Sequence, residues 1–332
     1  MGFWKIKTKM MRHPKVIISL TGGLGNQLFQ LAAGLNFVKG NRLTLSDAFG
    51  KPRKNPNGFA EIFSFRLPNN VNLSMRSKAS WVLLKTAGYL LRIGIAPRGF
   101  EKNRWFLKLL RVLSILLFSV HFRHLTKVVF SKNIGFSVID PPSRNSLIIG
   151  YFQSYRWVMD PQVKQLLMNI SPIGSEQILK EYELLAALET PLIVHVRLSD
   201  YLNQANFGIP SNEYYAEGIK KLVDTGKFSK VWLFSDDLET AKLIMPLDCG
   251  LEFRFIGALN ESSAVTFEVM RLGFGYVIAN STFSWWAAFL CRNEGVDVIA
   301  PSPWFAGMDD PLDLIPKNWV RVKSIHKTHA LN

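Results

Sequence analysis

The feature that most constrains the fold is a regular alternation in the second half of the chain. Short, mainly apolar stretches (Leu192–Val196, Lys230–Phe234, Leu251–Ile256, Tyr276–Ala279 and Val296–Ala300) alternate with segments of helical spacing (Asn212–Val223, Leu238–Ile244, Ser263–Leu272 and Thr282–Arg292). A strand that is apolar on both faces has no side to give to water, so helices must cover it above and below. Strands of this kind alternating with helices predict a parallel sheet. In such sheets ligands bind beyond the carboxyl ends of the strands, so the residues just after each strand are the ones to inspect.

The first half is organised in a related way. It opens with an expected strand at 16–20, a helix at 25–39 and a strand at 42–46. Residues 50–70 are irregular and rich in Pro, Asn and Gly. A strand pattern returns at Ser146–Phe152, followed by a helix at Pro161–Met168. Turn residues at Ser171–Gly174 read as a linker, and Ser175–Leu188 as a helix. The expected fold class is α/β, with domains at 14–172 and 173–325.

Chemistry gathers at the strand ends. After the first strand comes TGGLGNQLFQLAAGL, residues 21–35. A strand, a glycine turn and a helix can present backbone N–H groups and a helix start to a phosphate. Gly22, Gly23 and Gly25 allow tight turning and close approach of a ligand. Asn26 and Gln27 add polar side chains. The spacing differs from a dinucleotide-binding fingerprint, because a third glycine is missing at the required offset. In the second half, His195 and Arg197 are two residues apart and share one face of a strand. Arg197 is placed to grip a diphosphate. Asp200 follows in the loop, where it could orient Arg197 or take a proton from a hydroxyl. The next strand ends in Ser235-Asp236-Asp237, and Asp236 with Glu239 fits a helix-capping box as well as a ligand contact. A later strand ends in NSTFSWWAAFL, 280–290, where Asn280 closes the strand and Ser281 or Thr282 caps a helix. That helix start is a second anion site. The chain has no Asp-x-Asp pair, which argues against a sugar transferase that holds its nucleotide through a metal on such a pair.

Charge and cysteine content narrow the setting. The chain carries a formal net charge of +15. Residues 75–132 hold twelve lysines and arginines against one glutamate, together with two apolar runs, 81–96 and 105–122. The uninterrupted apolar part of the second run, Val112–Val120, is far shorter than the roughly 20 residues a membrane span needs. Two readings stay open: buried helices with a solvated basic rim, or helices lying on an anionic membrane surface. No helix-turn-helix, zinc-finger or RNA-recognition pattern supports a nucleic-acid partner. The two cysteines, Cys249 and Cys291, have no metal-type spacing, and the start of the chain lacks a secretory core. Both suit a reducing, cytoplasmic setting.

Taken in order, GGLGNQLFQLA (22–32), GYFQS (150–154), HVRLSDYL (195–202), PSNEYY (210–215), FSDDL (234–238), NSTFSWWAAFL (280–290), VIAPSPWF (298–305) and IPKNW (315–319) resemble the bacterial alpha-1,2-fucosyltransferases, glycosyltransferase family 11. The resemblance covers nearly the whole chain outside the basic insert. It implies a GT-B-like fold, two Rossmann-like domains facing a central cleft. It also implies GDP-fucose as donor, inversion at the sugar carbon and no cofactor or metal. The donor site it implies comprises Gly23, Gly25, Asn26, Gln27, His195, Arg197, Asp236, Glu268, Asn280, Ser281, Thr282, Phe283 and Ser284. Arg197 would hold the diphosphate. Arg197, Asp200 and His195 are the candidate catalytic residues, with Asp200 the candidate base. Asp47 and Gln153, at strand ends of the first half, are candidate contacts for an oligosaccharide or lipid-linked glycan acceptor. The expected setting is surface-polysaccharide synthesis at the inner face of a bacterial membrane, with residues 75–132 against anionic lipid. Two departures stand out. Leu198 and Ser199 replace an arginine and a glycine of the usual motif, and Thr266 occupies a position where an acidic residue is expected, Glu268 being the nearest carboxylate. Two alternatives follow: another GDP-sugar or linkage, or an inactive membrane-surface binding protein.

Overall fold

The computed structural model of the protein describes residues 14–47, 60–74, 86, 104–122, 125–131, 133–139, 144–198, 201, 206–259 and 262–327. The first part of the chain runs β1 (Val16–Ser19), α1 (Leu24–Val38), β2 (Leu43–Ser46), a 3-10 turn (Glu61–Ser64), β3 (Phe65–Arg66), β4 (Val71–Ser74), α2 (Arg104–His121), β5 (Lys127–Phe130), β6 (Ser146–Ile149), α3 (Pro161–Met168) and β7 (Ser171–Pro172). Helix α4 (Glu176–Glu189) leads into β8 (Leu192–Val196), α5 (Asn212–Val223), β9 (Lys230–Ser235), α6 (Leu238–Ile244), β10 (Glu252–Ile256), α7 (Ser263–Met270), β11 (Gly275–Val277), α8 (Thr282–Phe289), β12 (Asp297–Ser302) and β13 (Val320–Lys323).

Two parallel sheets result, β4-β2-β1-β6-β5 and β10-β9-β8-β11-β12-β13, beside a two-stranded antiparallel pair of β3 and β7. In each, the chain works outward on one side of the first strand and then crosses to the other. The topological switch points therefore lie between β1 and β6 and between β8 and β11. A crevice opens at such a point beyond the strand ends, and the sequence puts the glycine loop, Gln153, Arg197 and Asn280 there. This is the GT-B-like α/β arrangement expected from the motifs.

Successive residues of a strand face opposite sides, and the cores follow that rule. Val16 and Ile18 turn to the main core with α1, whereas Ile17 turns to the other face, against Phe118, Phe122, Leu125 and Leu147. The main core runs on between the sheets. The Phe29 ring lies 4.6 Å from Trp285 and 4.8 Å from Trp286, centroid to centroid. Gly25 makes this approach possible, because a Cβ there would stand 2.3 Å from the Thr282 carbonyl carbon and 2.5 Å from the Phe283 nitrogen. The starts of α1 and α8 thus touch, backbone to backbone.

Several helix boundaries agree with the sequence to the residue because a cap sets them. The side chains of Asp160, Ser211, Asp237 and Ser281 accept backbone N–H bonds at the starts of α3, α5, α6 and α8. The cap of α6 is Asp237, paired with Thr240, rather than Asp236 with Glu239. The strand expected at 146–152 ends at Ile149, where Gly150 follows and Phe152 takes a positive φ of 56°. The linker at 171–174 is tied down: Ser171 and Pro172 pair antiparallel with Arg66 and Phe65. The strands β4, β5 and β13 had no counterpart in the sequence reading.

Of the basic insert, the first apolar run lies outside the described residues apart from Thr86, and the second forms α2. This helix buries Leu110, Ser114 and Phe118, at intervals of four. On its outer side Trp105, Leu109, Val112, Leu113, Leu116 and Val120 are exposed, Trp105 and Val120 by more than 70%. No described helix is long and apolar enough to cross a membrane.

Candidate active site

The two switch points open into one cleft of about 550 Å³. From the first sheet it is lined by Gly22–Asn26, Glu61 and Gln153, and from the second by His195, Arg197, Asp236 and Asn280–Phe283. Tyr201, Phe207, Trp304 and Phe305 add an aromatic wall. Tyr201 and Phe207 stack at 5.2 Å, and the Tyr201 hydroxyl donates to the Asn280 carbonyl at 3.3 Å.

Arg197 is held in place by Asp236, which the sequence offers as a helix cap or a ligand contact. Its Nη1 lies 3.2 Å from Asp236 Oδ2, and Asp236 Oδ1 accepts the Leu198 backbone N–H at 2.9 Å. One carboxylate from the end of β9 thus fixes both the guanidinium and the backbone beside it at the end of β8. The Leu198 side chain is buried in the second core, so the substituted motif position does not face the cleft. His195 is buried 2 residues before Arg197. Burial, and then the Arg197 charge, push its pKa down to about 3, against an opposing effect of Asp236. The imidazole is neutral at physiological pH.

The two expected anion sites are not equivalent. At the start of α1, the Leu24 N–H donates to Glu61 Oε2 at 2.5 Å. A carboxylate of the chain itself occupies that helix start, and Gly25 is pressed against α8. The glycine loop therefore shapes the junction between the sheets, and its helix start is already matched with negative charge. The start of α8, capped by Ser281 (3.4 Å from the Phe283 nitrogen), lines the same cleft as Arg197 and follows β11, the strand paired with β8. Glu61 carries no motif; only its position in three dimensions reveals it.

Four of the expected site residues are not among those that line the cleft. Glu268 is fully buried outside the cleft, with one oxygen 2.6 Å from Arg271 Nη1 and the other 2.8 Å from Arg292 Nη2. It is a structural counterion, while Thr266 lines the cleft and holds the loop before α7 through the Leu259 N–H. Ser284 is also buried, its hydroxyl spent on the Ser281 carbonyl. Gln27 turns inward to bridge the Gly22 carbonyl and the Ile62 N–H, at 3.0 and 2.9 Å. It supports the loop from behind. Asn26 does line the cleft and accepts from Gln153 Nε2 at 2.8 Å. Asp47 is buried and is not among the cleft residues. Asp200 lies outside the described residues. Among the described residues no group of three His, Cys, Asp or Glu side chains is arranged to hold a metal ion.

Two parallel sheets with a polar cleft at both switch points give the protein its α/β, GT-B-like architecture. The chain belongs to glycosyl transferase family 11, whose pattern matches residues 140–323. It is 24% identical to an alpha-1,2-colitosyltransferase of Escherichia coli over 93% of this chain and 99% of that one. It is 25% identical to the O-antigen biosynthesis glycosyltransferase WbnK of Escherichia coli, over 91% and 99%. Solved structures that resemble it include the NodZ alpha-1,6-fucosyltransferase co-crystallized with GDP (16% identity, 84% and 93% coverage, TM-score 0.46). Another is the Escherichia coli ADP-heptose heptosyltransferase II (14% identity, 95% and 93% coverage, TM-score 0.49).

Proposed function

We propose that this chain transfers L-fucose from GDP-fucose to a glycan hydroxyl, forming an alpha-1,2 link to galactose in O-antigen-type polysaccharide. In this reading the transfer inverts the sugar carbon and needs no metal. The observation that carries it is that the Arg197–Asp236 pair and the start of α8 line one cleft beyond the ends of neighbouring strands. As the sugar–oxygen bond breaks, negative charge grows on the departing diphosphate. A guanidinium pre-set by Asp236 and the N–H groups of a helix start would stabilise that charge without reorganising. With His195 neutral, Arg197 is the one fixed cation among the described residues that line the cleft. Asp200 is the proposed acceptor for the proton of the attacking hydroxyl. The relative named for colitose favours, as the second reading, the same chemistry with another GDP-sugar.

The acceptor would be lipid-linked, and α2 would bring the enzyme to it at the inner face of the membrane. Its outer stripe of Trp105, Leu109, Val112, Leu116 and Val120, beside exposed Lys108 and Lys127, suits a surface helix in an anionic interface. Sedimentation with anionic vesicles should pull the protein down at low salt and less at high salt. Recovery unaffected by vesicles and salt would remove the membrane part alone.

The deciding assay offers a panel of GDP-sugars with galactose-ended acceptors and maps the product linkage by NMR. The expected product carries alpha-1,2-linked fucose. Transfer of a different sugar, or to a different position, would favour the second reading. GDP binding without transfer or donor hydrolysis would overturn both.

A further inference from the structure

Three side chains lining the cleft end in buried atoms that have no hydrogen-bond partner: Gln153 Oε1, His195 Nδ1 and Asn280 Oδ1. Their residues are 7%, 5% and 1% exposed. Folded proteins leave few buried polar atoms unpaired, because each one forfeits its bond to water. Single atoms of this kind also occur away from the cleft, at Ser19, Ser114, Trp157, Trp286 and His326, but three clustered around one cavity point to a ligand.

The orientation of each amide defines what that ligand must bring. Asn280 spends both amide hydrogens, donating to the Phe207 and Gly208 carbonyls at 2.9 and 3.0 Å. Its oxygen is then turned the other way. Gln153 donates to Asn26 Oδ1 at 2.8 Å, which leaves Oε1 over. An amide oxygen only accepts, and its partial charge repels a phosphate. These atoms are therefore distinct from the anion site at Arg197 and the start of α8, although they line the same cleft. The two amide oxygens call for a neutral group with O–H donors, and a hydroxyl, which both donates and accepts, suits His195 Nδ1 in either tautomer.

We propose that Gln153 Oε1, His195 Nδ1 and Asn280 Oδ1 pair with the hydroxyls of the transferred sugar, so that the site requires a fully hydroxylated 6-deoxyhexose. The inference rests on the reading of the cleft as a GDP-sugar site, and it moves Gln153 from the glycan acceptor to the donor sugar. Fucose held through its first carbon has three free hydroxyls, one for each of the three atoms. Colitose is the same sugar without the 3-hydroxyl. It would leave one of the atoms buried and unpaired, and sites built to bond a hydroxyl discriminate strongly against analogues that lack it.

The test measures kcat/KM for GDP-fucose and for GDP-colitose with the wild type, Gln153→Met and Gln153→Glu, together with GDP affinity by calorimetry. The wild type should prefer GDP-fucose about 10–100-fold, the cost of one buried acceptor left unpaired. Gln153→Met should lose a similar factor on GDP-fucose at unchanged GDP affinity. Gln153→Glu, which keeps an accepting oxygen but cannot donate to Asn26 Oδ1, should recover only part of it. Equal use of both donors by the wild type, or a preference for GDP-colitose, overturns the inference. So does a Gln153→Met effect confined to the KM of the glycan acceptor. A wild type that binds GDP but shows no donor preference defeats this inference alone, whereas failure to bind GDP defeats the donor-site reading beneath it.

Discussion

Gly25→Ala separates two jobs that a glycine in this loop could have. A Cβ at Gly25 would meet the Thr282 carbonyl carbon at 2.3 Å, its oxygen at 2.5 Å and the Phe283 nitrogen at 2.5 Å. All three are backbone atoms in the first turn of α8, so no side chain can swing aside. Restoring ordinary contact requires the helices to part by roughly 1 Å, in an interior packed too tightly to absorb the shift. That motion would also pull Phe29 out from between Trp285 and Trp286. Overpacking of this kind costs about 1–3 kcal/mol, which lowers the melting temperature of a chain this size by several degrees. The start of α8 would move with it, so GDP binding should weaken in the same variant. Thermal unfolding and calorimetric GDP titration read the two effects. If Gly25 instead served only to admit a phosphate, stability would stay at the wild-type value while GDP affinity fell. A wild-type melting temperature would therefore refute the packing argument.

Glu268→Gln should cost about 3–5 kcal/mol in urea unfolding, because Arg271 is 1% exposed at its side chain and would lose its buried counterion; GDP affinity of the folded fraction should be unchanged, since Glu268 is outside the cleft. His195 gives a pH signature. Its folded pKa of about 3 lies below the unfolded value, so only the unfolded chain takes up the proton as pH falls from 6.5 toward 3. Stability from the neutral imidazole is complete above pH 6.5 and is lost through that window. The melting temperature of the wild type should thus fall more steeply than that of His195→Gln; parallel curves would contradict the assignment. Glu61→Gln should leave GDP affinity unchanged or raise it, because it removes negative charge from the cleft; a large loss in titration would show that Glu61 serves the ligand.

What the sequence revealed, and what it hid, follows from the range of the forces involved. Helices α5 and α6 were readable to the residue because Ser211 and Asp237 cap them locally. The central strands were readable because they are apolar on both faces. Edge strands β4 and β13 alternate or are largely exposed, with only Val322 of β13 buried, so they lack that signal. At the site, Arg197, Asn26 and Ser281–Phe283 were found because they end strands or start helices. Gln27 and Ser284 stand in the same stretches, yet helical rotation turns them into the protein. Sequence position told that a helix start was near the cleft, and not which of its residues face it. The Arg197–Asp236 pair and Glu61 at the start of α1 join segments 39 and 37 residues apart, and no local pattern encodes either contact.

The central claim is that the donor diphosphate rests on Arg197 and the start of α8. A crystal structure of the protein with GDP tests it most directly. The account predicts diphosphate oxygens within hydrogen-bonding distance of the Arg197 guanidinium and of backbone N–H groups at Thr282–Ser284. A diphosphate seated instead in the loop at 22–25, with Glu61 displaced from the Leu24 N–H, would contradict it.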